Sequence, residues 1–132
     1  MQAECTALLF DGAVRTYRIA AVAEERGRLT PVDLAAIGFA PVRAFVIEAP
    51  DGETRGGHGH RSGRQLLLRI SGEVEIDLAL GEAHQVVRLD ATDNAVLIEA
   101  PVWSRQTYRG PDARLLVFSD TPYDPNSYID EP

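Results

Sequence analysis

Apolar and polar positions alternate in short runs through most of this chain. Val74-Glu75-Ile76-Asp77-Leu78 shows the pattern plainly: three aliphatic side chains fall on one face and two carboxylates on the other. That is the period of a half-buried strand. Residues 42–49, 54–60, 65–70, 73–80, 84–89, 95–99, 104–108 and 115–119 each read as a strand of this kind. Turn formers separate them: Pro50-Asp51-Gly52, Ser71-Gly72, Gly81, Asp93-Asn94, Pro101 and Gly110-Pro111-Asp112. Ahead of them, residues 7–10 and 14–23 read as strands about an Asp11-Gly12 turn, and residues 24–28 as a charged turn. One short helix is expected over residues 30–38, with Thr30 as cap, Pro31 at its first position and Gly38 as its stop. Many short strands at close spacing predict an all-β barrel or sandwich. No repeat or linker interrupts them, so residues 1–132 are expected to form one domain.

Composition narrows the function more than the fold. The net charge of −7 argues against nucleic acid, whose phosphates call for a broad basic surface. All thirteen basic residues are arginine, so lysine Schiff-base chemistry is ruled out. Arginine's planar fork instead suits small anions such as phosphate. No apolar run is long enough to span a bilayer, and no basic-then-apolar leader opens the chain, which predicts no membrane partner and a cytoplasmic protein. The single cysteine, Cys5, fits a reducing compartment.

The chemistry concentrates in residues 52–72, which hold four arginines, several glycines and two of the three histidines. His58 and His60 are one residue apart, so on a strand both imidazoles point the same way. Gly52, five residues, His58-x-His60, four residues, Gln65, six residues and Gly72 reproduce the first cupin motif, with Gln65 where a metal-binding cupin has glutamate. The later strand that would supply a further histidine carries Ser104 and Gln106 instead. An amide and a hydroxyl are poor ligands for a transition metal, so no metal and no other cofactor is expected. Two imidazoles titrating near neutrality are suited to moving protons, and neighbouring arginines to steadying negative charge.

Arg55-Gly-Gly-His58-Gly-His60, followed by Gln65-x-Leu67-x-x-x-Ser71-Gly72, resembles the nucleotide-sugar 3,4-ketoisomerases, small cupins acting on dTDP-4-keto-6-deoxyglucose. Arg26-Gly27-x-Leu29-x-Pro31, Phe39-x-x-x-Arg43, Leu89-Asp90, Trp103 and the ending Tyr123-Asp124-x-x-x-Tyr128-Ile129 extend the likeness over most of the chain. The resemblance implies an all-β, jelly-roll-like cupin barrel and a metal-free reaction. A histidine removes the C3 proton of a 4-keto sugar, and the resulting enediol is reprotonated at C4. His58 and His60 would be the acid/base pair, and Arg55 would orient or stabilise. The implied partner is a dTDP-linked sugar, and the implied assembly is a homodimer that exchanges N-terminal strands. Three features depart from the family pattern: Ala44-Phe45-Val46-Ile47-Glu48 replaces a tyrosine-rich segment, Trp103-Ser104 replaces a Trp-His pair, and Arg69 stands where the family generally has a small or apolar residue. A cupin that binds the nucleotide-sugar without catalysis is the alternative.

Five further residues are assigned to the substrate. Gln65 faces the cavity with the histidines, and Ser104 and Tyr108 share a strand face with Gln106. Trp103 and Tyr108 are candidates to stack on a base. Arg69, in phase with Gln65, is expected to point inward and meet a diphosphate. Arg105 and Arg109 fall on the opposite face, His84 on a surface turn, and Tyr123 and Tyr128 are expected to pin the tail.

Overall fold

Strands form where the alternation predicts them, and the departures are instructive. The computed structural model describes residues 3–132. In chain order the strands are β1 (Ala3–Leu9), β2 (Val14–Ile19), β3 (Val22–Glu24), β4 (Gly27–Leu29), β5 (Arg43–Glu48), β6 (Thr54–His60), β7 (Arg64–Leu80), β8 (Ala83–Leu89), β9 (Ala95–Glu99), β10 (Trp103–Ser119) and β11 (Tyr128–Ile129). The expected turns at Ser71-Gly72 and Gly110-Pro111-Asp112 do not reverse the chain. They are bends inside β7 and β10, which run antiparallel from Trp103↔Ala79 to Ser119↔Gln65. The register shifts between Arg109 and Arg114, so residues 110–113 bulge opposite Gly72.

At the bends the two long strands pass between two leaves. One leaf is β1-β2-β9, then the first part of β7, the last part of β10, and β5. The other is β8, the later part of β7, the first part of β10, β6 and β11. The result is a jelly-roll sandwich, as the many short strands and the cupin resemblance predict; the sheet does not close into a barrel, since β1 and β11 end the strand path without meeting. No helix among the described residues is long and apolar enough to cross a membrane.

Near the N-terminus three expectations change. Asp33, not Thr30, caps the helix: its Oδ1 accepts the Ala36 N–H at 3.3 Å, so α1 spans only Leu34–Ile37. Gly38 ends it as expected, in the left-handed region at φ 79°. The charged turn is the tip of a β3–β4 hairpin whose residues are all exposed. The strand expected over 14–23 is therefore split between β2 and β3.

Two apolar clusters hold the leaves together. Leu67, Val74, Ile76, Leu78, Val96, Leu115 and Val117 fill the space between them. Leu66, Leu68, Ala95 and Leu97 face the other way, under Ala3, Ile19, Ile37 and Phe39 from the N-terminal segment. This explains Leu66-Leu67-Leu68: a strand covered on both faces carries a continuous apolar run instead of alternation.

The bend depends on Gly72. It sits at φ +67°, and a Cβ there would lie 2.6 Å from the Cα of Ala113. Gly72→Ala is therefore expected to lower unfolding stability by about 1–3 kcal/mol, measured by denaturant titration, through strain at positive φ and a backbone clash.

Candidate active site

β6 is an unusual strand. Gly56 and Gly57 both take positive φ, and the pairing with β10 slips between Ser104↔His58 and Arg105↔Gly56. The slip re-aims the strand end without breaking it. A Cβ on Gly56 would come 2.7 Å from Gln106 Oε1. Gly59, between the histidines, lies so close to the 101–103 segment that a Cβ would stand 3.0 Å from the Pro101 carbonyl. Small residues here let β6 press against its neighbour while both imidazoles project to the same side. Their ring centroids are 5.6 Å apart and nearly perpendicular, at 87°.

They line a cavity of about 280 Å³ between the leaves, at the small end of the range for ligand sites. It opens where β5 and β6 diverge, since β5 pairs with one part of β10 and β6 with the other. Arg55 and Gln65 line it, as the sequence suggested, and Gln106 from β10 joins them. Ser104 belongs to a recess of about 20 Å³ that shares His58, His60 and Gln65, and its hydroxyl lies 3.3 Å from Gln106 Nε2.

Besides Gln106, Arg43 and Tyr128 line the cavity although neither was assigned to the site from the sequence. Arg43, the first residue of β5, lies beside Phe45 (5.0 Å to the ring centroid) and Tyr123 (5.7 Å). Its Nε is buried without a hydrogen-bond partner among the described residues, a costly arrangement for a donor. Arg43-x-Phe45-x-Ile47 places an arginine in phase with inward apolar residues, and that was the signal available in the sequence. Tyr128 reaches the same cavity from β11, its ring centroid 4.5 Å from that of His58 and 5.2 Å from that of His60. Only the pairing of the tail with β6 places it there, and periodicity gives no sign of that pairing.

Three assigned residues lie elsewhere. Arg69 does not point at the histidines; alternation counted from Gln65 fails beside the bend, where Arg69 Nε donates to the Gly72 carbonyl at 2.6 Å. Its side chain borders a separate cavity with Arg18 and Arg28. Trp103 faces the tail: its indole N–H donates to the Asp130 carbonyl at 3.1 Å, and Arg105 lies over the ring at 5.7 Å. Tyr108 is wholly buried in the inner cluster, so it offers no stacking surface. Its hydroxyl has no hydrogen-bond partner among the described residues. Burial pushes the phenol up to about 12, against the pull of Arg55. Arg105 and Arg109 face outward and pair with Asp77 and Glu75 at 3.2 and 3.6 Å. His84 is exposed on β8, not in a turn.

Burial lowers the pKa of both site histidines. The Asp130 carboxylate partly offsets this at His58, while His58 and the Arg43 guanidinium add to it at His60. Both imidazoles are thus neutral and able to accept a proton at pH 7.

Comparison with known proteins decides the family. The family model described as FdtA: WxcM-like, C-terminal, matches residues 13–132. The chain belongs to this family. No curated protein sequence matches it. Among solved structures, it is similar to the QdtA 3,4-ketoisomerase of Thermoanaerobacterium thermosaccharolyticum in complex with TDP, at 27% identity and TM-score 0.83, over 94% of this chain and 90% of that one. A 3,4-ketoisomerase from Helicobacter canadensis follows at 26% identity and TM-score 0.81, covering 89% and 90%. The WlaRB TDP-quinovose 3,4-ketoisomerase of Campylobacter jejuni has the same identity, TM-score 0.80 and coverage of 89% and 92%.

Two outcomes test this description of the WxcM-like site. NMR titration should place the midpoints of His58 and His60 below the ordinary 6.5. The native state then binds fewer protons than the unfolded chain, so these residues' contribution to stability is complete above pH 6.5 and falls as the pH drops toward their folded values. Tyr108→Phe should preserve or raise stability by up to about 1 kcal/mol in denaturant titration, because it removes a buried hydroxyl that has no hydrogen-bond partner among the described residues.

Proposed function

We propose that this chain is a single-domain, metal-free ketoisomerase that moves the keto group of a dTDP-4-keto-6-deoxyhexose from C4 to C3. The observation that carries this reading is the pair of half-buried imidazoles, 5.6 Å apart, facing one cavity with Arg43 and Arg55. The similarity to TDP-sugar ketoisomerases supplies the substrate class; a QdtA histidine-to-asparagine variant in complex with TDP-4-keto-6-deoxyglucose is among the similar structures.

The chemistry needs no external oxidant or reductant. One imidazole takes the proton from C3, and the C3–H electron pair forms a C3=C4 double bond as the C4 carbonyl pair moves to O4. Protonated at O4, this is the enediol. Return of a proton to C4, with loss of the O3 proton, leaves the carbonyl at C3. The strain on the protein is the negative charge developing at O4. A guanidinium with a buried, unpartnered donor is suited to hold it, and Arg43 has one. Arg55, exposed on the rim of the cavity, is placed to orient the anionic nucleotide.

Metal independence rests on donor chemistry: beside His58 and His60 stand Gln65, Ser104 and Gln106, all neutral oxygen or amide groups. For assembly we favour a homodimer with exchanged N-terminal strands. Its support is the exposed β3–β4 hairpin, including Val22 and Leu29, and the free edge of β1, which here pairs with β2 of its own chain. The cytoplasm suits a chain with one cysteine.

A second reading, nucleotide-sugar binding without catalysis, has one observation in its favour. β5 lines the cavity with Phe45, Val46 and Ile47, so it supplies no hydroxyl there. The deciding experiment is exchange of the C3 hydrogen of dTDP-4-keto-6-deoxyglucose in deuterated water, with an aminotransferase trapping 3-keto product. The wild-type protein should exchange. His58→Asn and His60→Asn should each lower the rate by about 100-fold or more while still binding dTDP. Binding without exchange in the wild type supports the second reading, stoichiometric metal in the purified protein overturns metal independence, and sedimentation at monomer mass overturns the dimer.

A further inference from the structure

The tail brings a ring to the histidines for which the proton-transfer scheme has no use. Tyr128 opens β11 directly across from His60, and Ile129 stands across from Gly59. The segment is fastened on both sides of Tyr128. The Arg61 backbone N–H donates to the Ser127 carbonyl at 2.8 Å, and Arg61 Nε donates to the Asn126 carbonyl at 3.2 Å. Beyond Tyr128, the Asp130 carbonyl accepts the Trp103 indole N–H at 3.1 Å. Three rings therefore meet in one wall. Tyr128 lies tilted 34° against His58 and 66° against His60, while the imidazoles stand at 87° to each other.

We propose that Tyr128 is a positioning residue of this site: its ring, carried by the C-terminal strand, fixes the mutual orientation of His58 and His60 and keeps water from the face they share. The inference rests on the proton-transfer reading of the two histidines. A strand-borne imidazole keeps rotamer freedom unless packed, and proton transfer depends on the angle at which the base meets the C–H bond. No other aromatic ring is recorded in contact with either imidazole among the described residues. Trp103, adjacent in sequence to Ser104, is turned toward the tail that carries Tyr128 and so helps to hold it in place.

The ring also acts on the protonation of its neighbours. Burial is the first cause of the lowered pKa at both histidines, and the Tyr128 ring packs against both imidazoles. The charged groups in play are Arg43 from β5, Arg55 from β6, Arg64 from β7 (paired with Asp120 at 3.5 Å) and Asp130 next to β11; Gln65 from β7 and Ser104 and Gln106 from β10 are neutral. Removing the ring changes none of these charges but admits water. Both pKa values should then rise toward 6.5.

The test uses the full chain carrying Tyr128→Ala and Tyr128→Phe. NMR titration should show both histidine midpoints moving up in the alanine variant and staying in place in the phenylalanine variant. With dTDP-4-keto-6-deoxyglucose, alanine should lower kcat about 10-fold or more with a smaller change in KM, and move the acid limb of the pH–rate profile upward; phenylalanine should restore both. Unmoved midpoints in a folded alanine variant overturn the inference. A phenylalanine variant as slow as the alanine one also overturns it, because the hydroxyl would then take part in the chemistry. If the alanine variant does not fold, Tyr128→Leu fills the space without a ring and is judged on the same titration. A wild-type protein without exchange defeats the ketoisomerase reading alone, since the midpoints still decide the role of Tyr128.

Discussion

Everything in this fold depends on how closely β7 and β10 approach at their common bend. With a Cβ absent at Gly72, the two backbones close to a distance that no side chain would permit. Each strand can then cross from one leaf to the other while remaining paired to its partner. Because they bend together, the strands that flank them diverge: β5 follows the last part of β10, and β6 follows the first. The gap between β5 and β6 is the mouth of the cavity. The histidines, Arg43 and Arg55 sit on the strands that border it, so the geometry at Gly72, remote from the chemistry, creates the opening for it.

A second constraint acts within β6. Glycines at 56, 57 and 59 serve different ends: the first two take positive φ and turn the strand, while the third lets the backbone lie against the Pro101 and Val102 carbonyls. A strand so poor in side chains would be floppy in isolation. Here it is clamped by β10 on one side and β11 on the other. The glycine-rich stretch read in sequence as a strand is thus a rigid mount for two imidazoles, and rigidity is what a site for proton transfer requires.

How much of this was legible follows from the range of the interactions involved. Alternation is local, so Val74 to Leu78 and the other half-buried strands could be read directly. The pairing of His58 with His60 could also be read, because it needs only the two-residue period of a strand. Asp33 replaced Thr30 as helix cap because both residue types cap well, and only the local fold decides which side chain meets a free N–H. Arg69 was misplaced because alternation fails beside the bend, and Tyr108 because a shared strand face was taken to imply a shared cavity. Tyr128 lay furthest out of reach, since its place depends on a strand pairing that closes sixty-eight residues of chain, from His60 to Tyr128. Sequence period carries no information about such a pairing.

The electrostatics of the cavity tie substrate to mechanism. The chain is acidic overall, at −7, yet the fixed charges lining this cavity are the guanidiniums of Arg43 and Arg55. Charges beyond about 8 Å are largely screened at physiological ionic strength, so an anion within the cavity responds to these two groups more than to the net charge. In the free protein Arg43 helps keep the pKa of His60 low. An anionic oxygen seated on Arg43 would cancel part of that influence and make His60 more basic in the complex than in the free protein. Binding would thereby strengthen the base at the moment a C–H bond must be broken. The same guanidinium would remain beside the oxygen on which charge accumulates. A lysine there, as a point charge without a fork, would serve one of these roles less well.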